Sequence, residues 1–492
     1  MVNIKFDNTY SKLSNQFYEE IKPQPVKKPK LIKLNKKLSE YLDLDDNFLK
    51  SKDGLLALAG NKVLRGSKPI ALAYAGHQFG NFVPQLGDGR AVLLGEIIAI
   101  DGKRYDIQLK GSGKTSFSRQ GDGRAPLGPV IREYIVSEAM YHLGIPTTRS
   151  LAIVSSGENV ERESFLPGGI LTRIASSHIR IGTFEYFFAK NDITSLKNLA
   201  DYAIKRHYPD SFNNDENIYK SILAKTIKSQ ASLVASWMSV GFIHGVMNTD
   251  NTAISGETID YGPCAFMDHF HPQKVFSYID TRGRYSYSNQ GQIMLWNLSI
   301  FAQCLSPLIS NNEKKSQTII IDSLNLFAEF FEEYWMSNFR MKLGMKKSFP
   351  EDKKLIQSFL EILLKQNIDF TSAFRDLSNT KDSFKEGDYI ISLSKNKTSI
   401  VNWLGAWKKR ISKEIRSIEN IKKDMKKVNP VYVPRNHILE KIIKEAVENE
   451  KFSLMNDLLD IIKNPFIEKK NKKYFSLPPS SNEIVRNTFC GT

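Results

Sequence analysis

Between residues 91 and 111 the apolar positions follow a strand-like period. AVLLGEIIAI (91–100) is a nearly continuous apolar run, and YDIQLKG (105–111) alternates, with Tyr105, Ile107 and Leu109 on one side and Asp106, Gln108 and Lys110 on the other. Alternation of this kind predicts strands, and Asp101-Gly102 between the two runs predicts a hairpin turn. Lys110 then projects from the polar face at the end of the second strand. From about 128 to 142 the spacing becomes helical, with Ile131, Tyr134, Ile135 and Glu138 on one stripe, and Gly144-Ile145-Pro146 ends the helix. This mixed region runs from about Lys68 to Val154. Beyond Gly168 the pattern predicts mainly helices, over 192–205, 218–240, 292–305, 323–344 and 353–365. Within that helical part, short strand-like fragments at 253–254 and 258–259 flank Gly256 and predict a small hairpin with Asn251 and Asp260 at its base.

Composition changes this picture little. The 492 residues are 41% apolar and 25% charged, which suits a folded chain of several lobes rather than a disordered one. The longest strand-like apolar run is broken by Gly95 and Glu96, so no span of the roughly 18 or more apolar residues needed to cross a bilayer is expected. The segment MVNIKFDNTYSKL lacks the features of a secretion or import signal, and a cytoplasmic location is the default expectation. Three cysteines, Cys264, Cys304 and Cys490, form no Cys-x-x-Cys pair and indicate neither a disulfide framework nor a zinc site. The formal charge of +16 comes mostly from lysines in helical runs such as 421–427 and 467–474, without interleaved stacking aromatics. Such runs read as solvated faces, not as a nucleic-acid surface.

The chemistry concentrates in two short segments. His244-Gly245-Val246-Met247-Asn248-Thr249-Asp250-Asn251 is followed nine residues later by Asp260-Tyr261-Gly262. An amide oxygen at Asn251 and a carboxylate at Asp260 are hard donors that suit Mg2+ or Mn2+ with nucleotide phosphates and water completing the shell. Where small-molecule kinases carry a base two residues after the histidine, this chain has Val246, and the nearest carboxylate is Asp250. Asp250 is either the base that takes a hydroxyl proton or a cap on the turn. His244 reads as a packing element. A tetrapeptide occurs twice, Gly87-Asp88-Gly89-Arg90 and Gly121-Asp122-Gly123-Arg124, and such glycines let amides face phosphate oxygens. Gln108 stands where a phosphate-binding P-loop ending at Lys114-Thr115 needs glycine, so that motif is absent. Periodicity offers Glu138 as the acidic partner of Lys110, with Glu133 about 140° away around the helix. Arg173 and Arg180, seven residues apart, would share one face of a helix and could meet a triphosphate.

The stretches AYAGHQFGNFVPQLGDGRAVLLGE, LKGSGKTSFSRQGDGRAPLGPVIREY, IPTTRSLAIV, GVMNTDNTAISGETIDYGPCAFMD, NPVYVPRN and FCGT together resemble the selenoprotein O family of kinase-like protein adenylyltransferases. The resemblance implies an α+β, protein kinase-like bilobal fold with a mixed α/β small lobe and a larger, mainly helical lobe. It implies a division into an N-terminal arm (1–60), small lobe (61–160), catalytic part of the large lobe (161–310) and C-terminal helical extension (311–492). It further implies transfer of AMP from ATP to Ser, Thr or Tyr hydroxyls of protein substrates, with ATP bound in a flipped orientation. Carried over, Gly87, Gly89, Arg90, Lys110, Asp122, Gly123, Arg173 and Arg180 correspond to nucleotide-binding positions. Asp250 corresponds to the proton acceptor, Asn251 to a metal ligand, and Asp260 to a ligand of metal and nucleotide. The Arg-Glu-Tyr segment favours Glu133 as the partner of Lys110, against the periodicity. Cys490, third from the end, stands where selenium-containing members carry selenocysteine, which suggests a redox role. Transfer of UMP from UTP, γ-phosphoryl transfer and a non-catalytic nucleotide scaffold are the alternatives.

Overall fold

The expected hairpin forms as Ala91–Ile98 paired antiparallel with Arg104–Lys110, turning at Gly102 with φ of 76°. In this computed structural model, which describes residues 4–214, 217–379 and 389–488, it sits inside an eight-stranded antiparallel sheet. The strand order is Tyr18–Glu20, Ile70–Leu72, Ala91–Ile98, Arg104–Lys110, Phe165–Ala175, Arg149–Glu161 and Lys30–Leu34, with Ala125–Pro126 added against Phe165–Ala175. Two of these strands come from the first 60 residues, and the sheet runs on to Ala175. The helical pattern expected after Gly168 therefore starts later, at Ile181. In LTRIA the β-branched Thr172 and Ile174 favour a strand, and that strand is paired on both sides.

The face carrying Asp106, Gln108 and Lys110 is polar but not solvated. Asp106 and Gln108 are buried, and Arg173 pairs with Gln108 in register on the neighbouring strand, so a row of charged groups lines the interior. The Leu127–His142 helix covers the sheet near them and is buried on nearly every side, Arg132, Glu133 and Glu138 included. A helix buried all round gives no dominant stripe, which is why periodicity chose the wrong glutamate.

Four of the expected helices form close to their expected bounds, Ile193–His207, Ile218–Ser239, Gln290–Ile309 and Asp352–Gln366, while the one expected over 323–344 starts ten residues earlier, as Glu313–Lys342. The stretch 287–309 is long and apolar enough by composition to cross a membrane, contrary to expectation. Here it is a core helix, packed against Ile218–Ser239 and Glu313–Lys342, and its buried Asn297 donates to the Met247 carbonyl at 3.0 Å. The fold is thus a mixed α/β arrangement of one large antiparallel sheet and many helices.

Candidate active site

The site is assembled where two strands and a helix cap bring Lys110, Arg173 and Arg180 to Asp260. The strands Phe242–Ile243 and Ala265–Phe266 pair and bracket residues 244–264. The small hairpin expected around Gly256 does not form. Ala253 instead bridges Arg180 and Thr258 bridges Thr147, so the segment is spread between its neighbours and Gly256 merely turns it, at φ of 77°. His244 is buried, stacked on Trp237 and within 2.9 Å of the Ile259 carbonyl, the packing role read from sequence.

Thr249–Asn251 forms a single 3-10 turn. Asn251 Nδ2 donates to the Val246 carbonyl at 3.0 Å, which fixes the amide and leaves its oxygen for another partner. Asp250 is buried; Gln78 Nε2 stands 3.4 Å from its Oδ2, while Oδ1 is buried with no hydrogen-bond partner. Burial pushes this carboxyl up to about 6, partly countered by Arg180. An unpartnered carboxylate oxygen in a protein interior is costly unless something is meant to meet it.

Asp260 adopts a left-handed backbone, φ of 63°, uncommon outside glycine. Its Oδ1 accepts from Lys110 Nζ at 3.0 Å and Arg173 Nη2 at 2.7 Å, and its Oδ2 from Arg180 Nη1 at 2.8 Å. Burial alone would raise this carboxyl, but Arg173, Lys110 and Arg180 hold it well below the usual carboxylate range. Glu133 closes the cluster, accepting from Lys110 Nζ at 2.6 Å and from Arg173 Nη2 at 2.6 Å; these cations outweigh burial and hold it low. Glu138 is engaged elsewhere, by Arg149 at 2.7 Å and Asn35 at 2.7 Å. The partner of Lys110 is therefore Glu133. Arg173 and Arg180 do converge, though not by sharing a helix: one lies on a strand, the other caps the Ile181–Ala189 helix, and the connector between them aims both at Asp260.

The two glycine tetrapeptides have different surroundings. At Gly87 (φ of 67°) an added Cβ would stand 2.2 Å from the Phe117 ring, and at Gly89 2.7 Å from the Phe117 carbonyl, so this turn is packed tightly against 115–118. Between them Asp88 is buried, accepts from Gln108 Nε2 at 3.0 Å and lies 3.9 Å from Arg180, tying the turn to the cluster. Arg90 receives the Gly111 amide on its carbonyl. Asp122, by contrast, pairs with Arg162 at 3.0 Å and caps the Arg124 amide, and Gly123 bonds back to Gly113. Asp122 and Gly123 close their own loop and do not join the cluster around Asp260.

Sequence reasoning assigned no role to Gly76–Gln78 or its hairpin partner Asn81–Val83. This hairpin sits on the Thr249–Asn251 turn: the His77 amide donates to Thr249 Oγ1 at 2.7 Å, the Phe79 amide to Asn248 Oδ1 at 3.1 Å, and Gln78 reaches Asp250. His77 Nδ1 in turn meets the buried Glu185. Gly76 permits the approach, since a Cβ there would lie 2.8 Å from Asp250 Oδ1. The GHQFG run carries the signal in its second glycine, Gly80, which turns the hairpin at φ of 85°.

Among the described residues no group of three or more His, Cys, Asp and Glu side chains could hold a metal as a closed cage. The donor chemistry still fits a phosphate-borne Mg2+ or Mn2+, which takes few protein ligands: the Asn251 oxygen is left available by the bond at its nitrogen, and the Asp260 carboxylate is ionised. Cys264 and Cys304 are buried, and Cys490 lies outside the described residues.

Comparison with known proteins defines the class as protein nucleotidyltransferase. A family model described as "Protein adenylyltransferase SelO" matches residues 1–463, and the chain belongs to that family. It is 50% identical over 491 residues to a protein nucleotidyltransferase YdiU of Rhodopseudomonas palustris (strain HaA2), covering 100% of both chains. It is 50% identical over 489 residues to the protein of that name from Nitrobacter winogradskyi, covering 99% of this chain and 96% of the other, and 48% identical over 491 residues to that of Bradyrhizobium diazoefficiens.

Proposed function

We propose that the chain transfers AMP from ATP to Ser, Thr or Tyr hydroxyls of protein substrates, with the chemistry at Asp250 and the phosphates along Lys110, Arg173 and Arg180. The observation that carries this reading is the buried, unpartnered Oδ1 of Asp250 directly beside Asn251. With Val246 at the usual base position, Asp250 is the carboxylate left to receive a proton, and its elevated value of about 6 suits a base working near neutrality.

In the proposed reaction the target hydroxyl oxygen attacks the α-phosphorus, its proton passes to Asp250 Oδ1, and the bond to the β-phosphate oxygen breaks to release pyrophosphate. Three cations, Lys110, Arg173 and Arg180, lie around Glu133 and Asp260, with Asp88 3.9 Å from Arg180, and would turn together to the charge of the leaving group. Fixed, buried cations aimed at developing phosphate charge stabilise a transition state without reorganising. Asn251 and Asp260 would hold Mg2+ or Mn2+, which would supply further charge neutralisation on the phosphates. The Gly87-Asp88-Gly89 turn, with Arg90, would lie along the nucleotide, and Asp122 and Gly123 would contact it only from their own loop.

A kinase-like bilobal arrangement belongs to the same reading. The sheet carrying Lys110 and the Glu133 helix would be the small lobe, and the helices holding 244–264 the larger one, with the cation cluster between them. The test is mass spectrometry of an acceptor protein incubated with the chain and either ATP or UTP. An adenylyl increment on hydroxyl residues supports the proposal. A phosphoryl increment would identify a γ-phosphate kinase, a uridylyl increment alone a UTP-dependent enzyme, and no increment a scaffold.

A further inference from the structure

Arg132 stands next to Glu133 but takes no part in the cation cluster. It is 3% exposed, and its guanidinium joins three parts of the chain. Nη1 donates to the Cys264 carbonyl at 3.4 Å and to Asn436 Oδ1 at 3.2 Å, while Nη2 pairs with Glu440. Cys264 lies four residues past Asp260 on the same loop, and Asn436 and Glu440 lie on the Asn436–Asn449 helix.

That C-terminal helix is itself firmly seated. Arg435, at its start, is fully buried and bonds both oxygens of Asp369, at 2.8 and 2.9 Å, and Asp268 at 2.7 Å. It lies close to the Glu133 helix, where a Cβ on Gly128 would stand 2.8 Å from Ile443. The following Ser453–Ile462 helix packs on the Glu133 helix too, and Asn456 accepts from Lys33 on the sheet at 2.6 Å. In enzymes that use a lysine–glutamate pair on phosphates, the position of the glutamate's helix sets activity.

We propose that Arg132 is a positioning residue for adenylyl transfer: it fastens the Glu133 helix to the Asp260 loop and to the C-terminal helix, so that Lys110, Glu133 and Asp260 stay engaged within one chain. Glu133 thereby reaches Lys110 and Arg173 from a helix that cannot withdraw without breaking a buried guanidinium from three partners. The inference rests on the reading of Lys110 as a phosphate contact.

The experiment is a double-mutant cycle on transfer from α-labelled ATP with full-length protein, using Arg132→Met, Glu133→Gln and both together. A misplaced helix predicts a fall in kcat of about 10- to 100-fold for Arg132→Met, the scale of small positional errors at a reacting centre. In the Glu133→Gln background the same change should add less than about threefold, because the group it positions is already lost. Full additivity, or an unchanged kcat with only a lower urea midpoint, would overturn the proposal. Should Arg132→Met fail to fold, Glu440→Gln at the partly exposed partner replaces it, with a smaller loss and the same non-additivity expected, and additivity again contradicting it. Lys110→Ala is run in parallel: if it leaves ATP affinity unchanged, the phosphate reading of Lys110 fails whatever Arg132 does.

Discussion

Arg180 Nη1 donates to the backbone carbonyl of Asp250 at 2.6 Å, and the same nitrogen donates to Asp260 Oδ2 at 2.8 Å. One buried guanidinium therefore sets the distance between the residue proposed to accept a proton and the carboxylate proposed to share the metal. Replacing Arg180 by Gln breaks that link and removes a cation proposed to face the phosphates. A loss of about 100-fold or more in kcat/KM is expected, the scale of losing one fixed donor at a developing negative charge. Steady-state transfer rates check it, and a loss under about threefold would separate Arg180 from the chemistry.

The two glutamates of the Leu127–His142 helix should have separable effects. Glu133→Gln removes the charge of one of the two carboxylates that Lys110 and Arg173 share, leaving Asp260 as their remaining anionic partner, and should raise the KM for ATP and lower kcat. Glu138→Gln disturbs Arg149, Asn35 and the Ser150 amide instead. It should lower the urea midpoint while leaving the KM for ATP within about threefold. Kinetics and urea melts on both variants decide the matter, and matching kinetic losses would refute the assignment.

Two turn glycines provide an internal comparison. Gly87 and Gly102 both have positive φ, but Ala at Gly87 meets the Phe117 ring and Ala at Gly102 meets nothing within 4 Å. Gly102→Ala should cost about 1–2 kcal/mol of backbone strain alone, without changing nucleotide affinity. Gly87→Ala should displace the turn and weaken ATP binding by about tenfold, a difference of about 1.4 kcal/mol. Titration with a fluorescent ATP analogue reads the difference; equal affinities would remove the Gly87 turn from the nucleotide site.

Stability should depend on pH through His207. Burial, reinforced by Arg206, pushes its imidazole down to about 3, and its Nε2 lies 2.7 Å from Ser177 Oγ. The folded chain holds it neutral while the unfolded chain protonates it below about 6.5, so its contribution is complete above that value and is lost as pH falls towards 3. At pH 5 the loss is about 2 kcal/mol, from about 1.5 units at 1.36 kcal/mol each. Glu257, raised to about 6 by burial, acts with the opposite sign, stabilising when protonated and less so as pH rises from about 4.5 to 6. His207→Gln should remove this loss, so the urea midpoint of the variant should rise relative to that of the parent chain as pH falls from 6.5 to 5, and a difference that stays constant over that range would exclude the effect.

Much of this site was legible as residue type and spacing. The Asn251 and Asp260 pair, Lys110 and the strand that ends on it follow from local pattern, because a strand's alternation and a loop's composition are set by neighbours in sequence. What failed depended on distant packing. Glu138 shares the apolar stripe, yet the helix is covered on all sides, so the stripe carries no direction. Arg173 and Arg180 suggested a helix by spacing, but sheet pairing on both sides claimed Arg173. The hairpin expected at Gly256 was lost to bridges with Thr147 and Arg180, more than 70 residues away along the chain. Nothing local to Arg132 marks it, because its partners Asn436 and Glu440 lie about 300 residues further along the chain.

The most direct measurement compares the parent chain and Asp250→Asn with ATP labelled at the α or the γ phosphate, in the presence of Mg2+ and an acceptor protein. The account predicts label on protein from the α position only, and a fall of about 10²–10⁴ in rate for Asp250→Asn, the contribution of a positioned general base. Label retained from the γ position, or an Asp250→Asn rate equal to that of the parent, would contradict it.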